Sequence, residues 1–285
     1  VRFDPDLPDR EARYAAQRGE TEREVAAYNT GHKQLDAFRG SIFRATLHFI
    51  HRTLKTNFFV PEKHALAFRL DPAYLDDLGP EFTADLPPER PFRVTYFYGR
   101  HGVGYHIGFS DIARGGWRTI ITQTRDDYVT VANTLFRENY VLAHTQHLKN
   151  KDIYEGGSKL VVVLRAPDVR GKEQLHQLLY KIQYGFLNAF LDIFVSRDGK
   201  VAHPRVVDYY GEDEAIELGP DENMHDRMIE TIAEMSVKRG YVLGIGIMSS
   251  KVVGINHTQY GVTSTGVDKF AEVAMREQGI AIRTD

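Results

Sequence analysis

Two neighbouring segments limit the folds available to this chain more than any other feature. Residues Leu160 to Leu164 form a continuous apolar run, which is typical of a strand buried on both faces, as in a parallel sheet. An amphipathic helical pattern over residues 172–195 follows, and a second strand–helix pair begins at residues 205–210 and ends with a helix over about 225–239. Alternating strands and helices predict an α/β fold with a mixed, mostly parallel sheet flanked by helices.

The N-terminal residues differ in character from the rest of the chain. Residues 1–34 are dominated by charged and other polar side chains, which favours a surface helix or a loose arm. From Leu35 to Leu54, apolar residues recur at helical spacing, which predicts a helix that faces the core. We therefore predict a polar N-terminal arm over residues 1–34, forming a helical extension, and one domain over residues 35–285.

Composition excludes several classes of protein. The chain has no cysteine, which excludes a disulfide framework, a thiolate zinc site and a cysteine nucleophile. A net charge of -3 argues against nucleic acid as a partner, and no apolar run approaches about 18 residues, which argues against a membrane partner. No basic-then-apolar segment stands at the N-terminus, so we expect a cytoplasmic protein.

Metal and dinucleotide motifs are weak or missing in the sequence. Among 12 histidines, His144 and His147 lie three apart on a predicted helix, which makes at most a poor zinc pair. Neither the GxGxxG fingerprint of dinucleotide-binding folds nor the GxSxG motif of serine nucleophiles occurs. We expect no metal site and no cofactor-binding residue in this chain.

The segment Gly156-Gly157-Ser158-Lys159 lies between a predicted helix and the buried strand. Glycines such as Gly157 allow a substrate to approach the backbone closely, and a lysine at a desolvated sheet edge can act as a general base. A surface lysine after a flexible turn is the simpler alternative. The segment is not a phosphate loop, because GxxxxGK[ST] is absent and a strand follows Lys159.

Two further segments contain candidate groups, each with an ordinary alternative. In Arg114-Gly-Gly-Trp-Arg118, two glycines at a strand–turn boundary would expose a guanidinium to a carboxylate or phosphate, or would form a solvated hairpin corner. Asp221 follows a strand, where an acid is well placed for chemistry, or an Asp or Asn of this segment caps the next helix. Lys149, taken alone, is an ordinary surface lysine.

The order of these motifs along the chain is more specific than any one of them. Over roughly residues 38–280, the chain resembles the large-subunit NAD-dependent glutamate dehydrogenases. The resemblance rests on these phrases: Asp111-Ile-Ala-Arg-Gly-Gly-Trp-Arg118, Lys149-Asn-Lys-Asp-Ile153, Gly156-Gly-Ser-Lys159, Gly219-Pro-Asp-Glu-Asn223, Gly254-Ile-Asn-His257 and Tyr260-Gly-Val-Thr-Ser-Thr-Gly-Val267. It implies a fold like the N-terminal domain of amino-acid dehydrogenases.

The resemblance also implies roles for individual residues. Lys159 matches the catalytic lysine of the family, and Asp221 matches its catalytic aspartate. Lys149 matches the lysine that binds the substrate α-carboxylate, and Arg114 stands where the small enzymes of the family place a lysine for the side-chain carboxylate. Thr263 matches a threonine at the cleft. Glutamate carries two carboxylates, so two cations in the site make chemical sense.

The resemblance implies NAD as the cofactor of the full-length enzyme, held by a domain that would follow residue 285, with none bound to this chain. L-Glutamate, 2-oxoglutarate and ammonia would be the reactants, and the protein would assemble as a homo-oligomer. Alone, the chain is expected to be inactive. Another amino-acid dehydrogenase and a non-catalytic amino-acid-binding regulatory module are the alternatives. In the enzyme, Lys159, Asp221, Lys149 and Arg114 should line one pocket at the carboxyl edge of the sheet.

Overall fold

The computed structural model describes residues 1–149, 156–167, 169–248, 253, 256 and 259–282. Within these ranges, no helix is both long enough and apolar enough to cross a membrane. Short 3-10 helices cover Pro72–Asp77 and Gly244–Ile247. The α-helices are α1 (Arg10–Ala27), α2 (Lys33–Arg52), α3 (Pro80–Thr83), α4 (Arg125–His147), α5 (Lys172–Phe194), α6 (Asp226–Arg239) and α7 (Val262–Glu277).

The strands are short except for two that lie side by side, β5 and β6. They are β1 (Thr53–Thr56), β2 (Ala65–Leu70), β3 (Arg93–Gly99), β4 (Gly102–Gly108), β5 (Ala113–Thr122), β6 (Gly156–Arg165), β7 (Ser196–Arg197), β8 (Lys200–Val201), β9 (Val207–Asp208) and β10 (Ile216–Pro220). Eight of them form one sheet in the order β10-β5-β6-β4-β3-β2-β1-β9, and β7 pairs with β8 separately.

Strand direction differs from the sequence-based expectation. Among the described strands, only β5 runs parallel to its neighbours, which are β10 on one side and β6 on the other. The other pairs in the described sheet are antiparallel. The predicted α/β class with a mixed, helix-flanked sheet is confirmed, but its description as mostly parallel was wrong.

The connections between strands explain this correction. Parallel neighbours need a long crossover, usually a helix, whereas antiparallel neighbours need only a turn. α4 supplies the crossover between β5 and β6, but β3 and β4 are joined by two residues, Arg100 and His101. Gly99 and Gly102, which pair with each other on either side of these two residues, therefore lie at the turn of a hairpin.

The apolar run from Leu160 to Leu164 lies in β6 and is buried from both sides, as predicted. Its even-numbered residues pack in the core that contains α5. The odd-numbered Val161 and Val163 point to the opposite face and pack with Leu135 of α4. Because successive strand residues alternate in direction, Lys159 is on the α4 face of the sheet.

α1 forms the predicted helical extension within residues 1–34, and both α1 and most of α2 lie outside the core. α1 buries no residue, and α2 buries only Gly40. Only the C-terminal end of α2 reaches the sheet, where the Phe49 ring lies 5.1 Å from the Phe68 ring. The expectation of a core-facing helix was therefore wrong for most of α2. Its exposed apolar residues are Leu35, Phe38, Ile42 and Phe43.

A buried charge cluster lies where β1, β2 and β3 meet the segment before β10; its members are Lys55, Arg69, Arg93 and Glu214. Each side chain is at most 1% exposed. The Glu214 carboxylate lies 2.6 Å from Arg93 Nε, 3.2 Å from Lys55 Nζ and 3.3 Å from Arg69 Nη2. Burial alone would raise the pKa of Glu214, but the three cations outweigh it and lower the pKa to about 2.

Candidate active site

Lys159 and Asp221, the two residues predicted to be catalytic, are in direct contact. Lys159 is the fourth residue of β6, and Asp221 immediately follows β10. The Lys159 Nζ donates a hydrogen bond to Oδ2 of Asp221. Their side chains are 15% and 32% exposed, so the pair is sheltered but reachable from solvent. A lysine and a carboxylate in this arrangement can exchange protons with a bound molecule.

Strand β5 separates β6 from β10, and a glycine in β5 makes the contact between Lys159 and Asp221 possible. Gly116 is in register with Lys159 on one side and with Gly219 on the other. A Cβ on Gly116 would lie 3.0 Å from Lys159 Nζ and 3.2 Å from Asp221 Oδ2. The missing side chain leaves the space in which the two groups meet.

The location of the pair corrects one expectation. Asp221 is at the carboxyl end of β10, as predicted for an acid after a strand. Lys159 and Gly116, however, are in the amino-terminal halves of β6 and β5. The pair therefore lies at the carboxyl end of β10 but not at the carboxyl ends of β5 and β6, because these two strands extend well beyond the end of β10.

Arg118 is a site residue for which the sequence analysis proposed no role. Its Nε lies 4.0 Å from Asp221 Oδ2 and 3.3 Å from Glu222 Oε2. Burial tends to raise the pKa of Asp221, but the hydrogen bond and charge of Lys159, together with the charge of Arg118, lower it. The signal was available: residues 114, 116 and 118 share one face of a strand because side chains alternate.

The loop after β10 is fixed by hydrogen bonds to β5. The Asp221 N–H donates to the Trp117 carbonyl at 3.2 Å, and the Asn223 side chain donates to the Thr119 carbonyl at 2.7 Å. The residue at the N-terminal cap of α6 is His225. The alternative interpretation, in which an Asp or Asn of this segment caps the helix, was therefore wrong.

Arg114 and Gly157 are direct neighbours in the parallel pair of β5 and β6. The segment Arg114-Gly-Gly-Trp-Arg118 lies inside β5, and the segment Gly156-Gly-Ser-Lys159 lies inside β6. Their glycines had suggested turns instead. Arg114 is half-buried, and its Nε lies 3.8 Å from Oε2 of Glu217 on β10. Since residues in register share a face, Arg114 is on the same face of the sheet as Lys159.

Gly157 also connects β6 to the end of α4. Its N–H donates a hydrogen bond to Nδ1 of His147 at 3.2 Å. A Cβ on Gly157 would overlap the backbone nitrogen of His147. The absence of a side chain therefore lets the helix end pack against the strand. Its predicted role in binding a substrate stays a prediction.

Replacing Gly157 with alanine should destabilise the protein by about 1–3 kcal/mol, because the backbone of α4 must move to admit the methyl group. Chemical denaturation followed by circular dichroism measures the change. Gly246→Ala is the matched control, since a Cβ there has no neighbour within 4 Å. Equal stability of the two variants would contradict the expectation.

Lys149 and Thr263 are exposed residues that do not bond to the Lys159–Asp221 pair in the described part of the chain. Lys149 is exposed directly after α4, two residues beyond His147, and Thr263 is exposed in the first turn of α7. In the described part of the chain, no hydrogen bond or ion pair joins either residue to Lys159 or Asp221. Residues 150–153 and 254–255, parts of the motifs that carried the resemblance, lie outside the described residues.

The two histidines at the end of α4 face a carboxylate. His144 Nε2 and His147 Nε2 each lie 3.3 Å from an oxygen of Glu89. Across the ranges that the structure covers, no group of three or more His, Cys, Asp or Glu side chains could hold a metal ion. The Glu89 carboxylate thus connects the loop before β3 to the helix end that packs on Gly157.

Comparison with known proteins identifies the family. The family described as bacterial NAD-glutamate dehydrogenase, catalytic domain, matches residues 30–285. The chain belongs to this family. It is 35% identical to the NAD-specific glutamate dehydrogenase of Neurospora crassa over 232 residues. The aligned region covers 80% of this chain and 21% of that protein. The resemblance inferred from the motifs is therefore confirmed.

Two further comparisons give the extent of the similarity to glutamate dehydrogenases. Glutamate dehydrogenase 2 of Dictyostelium discoideum is 34% identical over 245 residues, covering 85% of this chain and 21% of that protein. The chain thus spans about a fifth of the length of the curated relatives that it matches. A solved structure of a hetero-hexameric glutamate dehydrogenase from Thermus thermophilus, in its Leu-bound form, aligns with a TM-score of 0.32 and 17% identity, over 55% of this chain and 30% of that one.

Proposed function

We propose that this chain is the substrate-binding and catalytic part of an NAD-dependent glutamate dehydrogenase, which converts L-glutamate to 2-oxoglutarate and ammonia. The observation that carries the proposal is the contact between Lys159 and Asp221 across Gly116. The alternative of a non-catalytic binding module does not require these two side chains to meet. The names of the relatives support NAD as the cofactor of the longer protein.

The roles follow from the chemistry of the two groups. Oxidation at the α-carbon produces an iminium, to which water must add before ammonia leaves. Lys159 would act as the base that activates this water, and Asp221 would move protons to and from the amino nitrogen. Arg114, on the same face, would bind the side-chain carboxylate, and Lys149 the α-carboxylate. Thr263 would border the cleft.

NAD would supply the acceptor for the hydride that leaves the α-carbon. The described residues include no glycine-rich strand-to-helix turn of the kind that holds a dinucleotide. We therefore assign no NAD-binding residue to this chain and expect the 285-residue chain alone to reduce no NAD.

The test of the proposal is substrate-dependent NAD reduction by the longer protein that joins this chain to its NAD-binding region. L-Glutamate should be oxidised far faster than L-leucine or L-phenylalanine, because Arg114 provides a cation where those substrates would need an apolar pocket. A preference for an apolar amino acid would favour the alternative of another amino-acid dehydrogenase. No oxidation of any amino acid would favour the binding module.

Arg114→Gln should raise KM for glutamate by about 10–100-fold with a smaller effect on kcat, because a charge-assisted hydrogen bond to the substrate is lost in both the ground and transition states. Steady-state kinetics in the longer protein measures both constants. Arg125→Gln, at an exposed arginine at the start of α4, is the control. An unchanged KM would remove Arg114 from substrate binding.

We also propose that the protein is a cytoplasmic homo-oligomer. The exposed apolar residues of α2, which include Phe38 and Ile42, support the second part, because a contiguous apolar surface is often an interaction site. Light scattering after size-exclusion chromatography measures the oligomeric state of the chain.

A further inference from the structure

A cavity of about 410 Å³ lies between α5 and the start of α6, on the face of the sheet opposite to Lys159. This volume is within the range of small-molecule sites in proteins, about 300–1,000 Å³. The side chains that decide its chemistry are His176, Tyr180, Lys181, Gln183, His225 and Arg227. None of these groups has a role in the function proposed above.

The walls of the cavity carry positive charge without matching negative charge. Lys181 and Arg227 both line it, and among the described residues no aspartate or glutamate does. In the described part of the chain, neither cation forms an ion pair; Arg227 lies instead over the Tyr180 ring, 5.2 Å from its centroid. Both side chains are exposed, so these cations lie at the open side of the cavity, where they can attract an anionic ligand.

Flat rings form another part of the wall. The His176 and His225 rings lie 5.0 Å apart, and the Tyr180 ring is close to both the cavity and Arg227. Aromatic and imidazole rings pack favourably against a flat apolar group. We propose that this cavity binds a small organic anion with a flat ring, whose charge lies near Lys181 and Arg227 and whose ring packs on the three rings of the wall.

Gln183 connects the cavity to the loop that carries Asp221. Its Nε2 donates to Thr119 Oγ1 at 3.1 Å and to the Asn223 carbonyl at 2.8 Å. The Asn223 side chain in turn donates to the Thr119 carbonyl. Gln183 therefore bonds to both residues that connect β5 to the loop. A ligand against Gln183 would therefore restrict residues 219–224 and act as an effector of the site; this second part rests on the proposed function.

Binding is tested with phenyl phosphate, which combines a ring with an anion, by calorimetric titration of the 285-residue chain. Phenyl phosphate should bind saturably and more tightly than inorganic phosphate or benzyl alcohol. Lys181→Gln combined with Arg227→Gln should weaken it by about tenfold or more, since charged hydrogen bonds are lost. Lys238→Gln, at an exposed lysine of α6, should leave it unchanged. Absence of binding, or equal affinity in the double variant, would overturn the site.

Coupling is tested by hydrogen exchange of residues 219–224 with and without phenyl phosphate. The ligand should slow exchange of this segment in the unaltered chain. Gln183→Met, which keeps the volume but loses the hydrogen bonds, should still bind phenyl phosphate and should lose the slowing. If exchange is the same with and without ligand, the effector role is wrong. Because neither measurement uses glutamate, failure of the proposed enzyme function would be seen separately, in the oxidation assay.

Discussion

Lys159→Ala should lower kcat for glutamate oxidation by about 100- to 10,000-fold, the usual contribution of a general base, while KM changes little. The reason is geometric: the Lys159 Nζ is held against Asp221 in a gap that Gly116 leaves open, where water can reach it. Steady-state and single-turnover kinetics in the longer protein measure the effect. Lys200→Ala, at an exposed lysine of β8, should behave as the unaltered enzyme.

The same substitution has a second consequence that needs no activity. The hydrogen bond from Lys159 and its positive charge both lower the pKa of Asp221, and each has a larger effect than the charge of Arg118. Removal of Lys159 should therefore raise the pKa of Asp221. Carbon-detected NMR of the aspartate carboxyl groups in the 285-residue chain follows this titration. Near-normal turnover of Lys159→Ala would exclude Lys159 as the base, and an unchanged pKa of Asp221 would contradict the contact itself.

Glu214→Gln should destabilise the fold by about 3–5 kcal/mol, the usual effect of removing one partner from a buried group of charges. The substitution removes the negative charge of the buried charge cluster and leaves Arg69 and Arg93 repelling each other away from solvent, while Lys55 keeps Asp208, 4.0 Å from its Nζ, as an anionic neighbour. Urea denaturation at neutral pH measures the difference. Glu212→Gln, two residues earlier and exposed, should change stability by less than about 0.5 kcal/mol.

The pH dependence of stability gives an independent check on Glu214. Its pKa in the folded state, about 2, is below the ordinary value of 4.5, so its ionised form stabilises the fold at any pH above that ordinary value. This contribution should be lost as the pH falls from about 4.5 to about 2. The unaltered chain and Glu214→Gln should therefore approach the same stability in acid, and a constant difference across this range would contradict the assignment.

The sequence indicated which residues are candidates for the site, but it did not indicate how they are arranged. Lys159 and Asp221 each border a clear strand pattern, and the order of the motifs was specific enough to indicate the family. Their contact could not be predicted, because it depends on β5 lying between β6 and β10, and local patterns do not state which strands are neighbours.

The glycine motifs show a physical reason for a wrong assignment. Glycine weakens strands, so Gly115 and Gly116 suggested a turn. In the structure both are inside β5. A Cβ on Gly115 would overlap the Ser158 carbonyl, and a Cβ on Gly116 would crowd Lys159, so a larger residue would not fit at either position. The close approach of neighbouring groups requires these glycines, and a single sequence does not reveal such an approach.

Similarly, helical spacing over α2 predicted the helix but not its surroundings. The periodicity of Leu35 to Leu54 shows that one side is apolar, yet it does not show what covers that side. Most of it is exposed in this chain. The hairpin between β3 and β4 is a local feature. The antiparallel pairing of β4 with β6, in contrast, joins residues that are 50 to 62 positions apart in the sequence.

Strand β10 has five residues and lies at the end of the described sheet, where β5 is its one partner strand. Lys159 on β6 and Asp221 after β10 therefore meet only because β10 pairs with β5. Joining Lys159 to Asp221 closes a loop of 62 residues, whose entropy cost is offset only when β10 docks. The pairing of this one edge strand with β5 is thus what brings the Asp221 carboxylate to the Lys159 side chain.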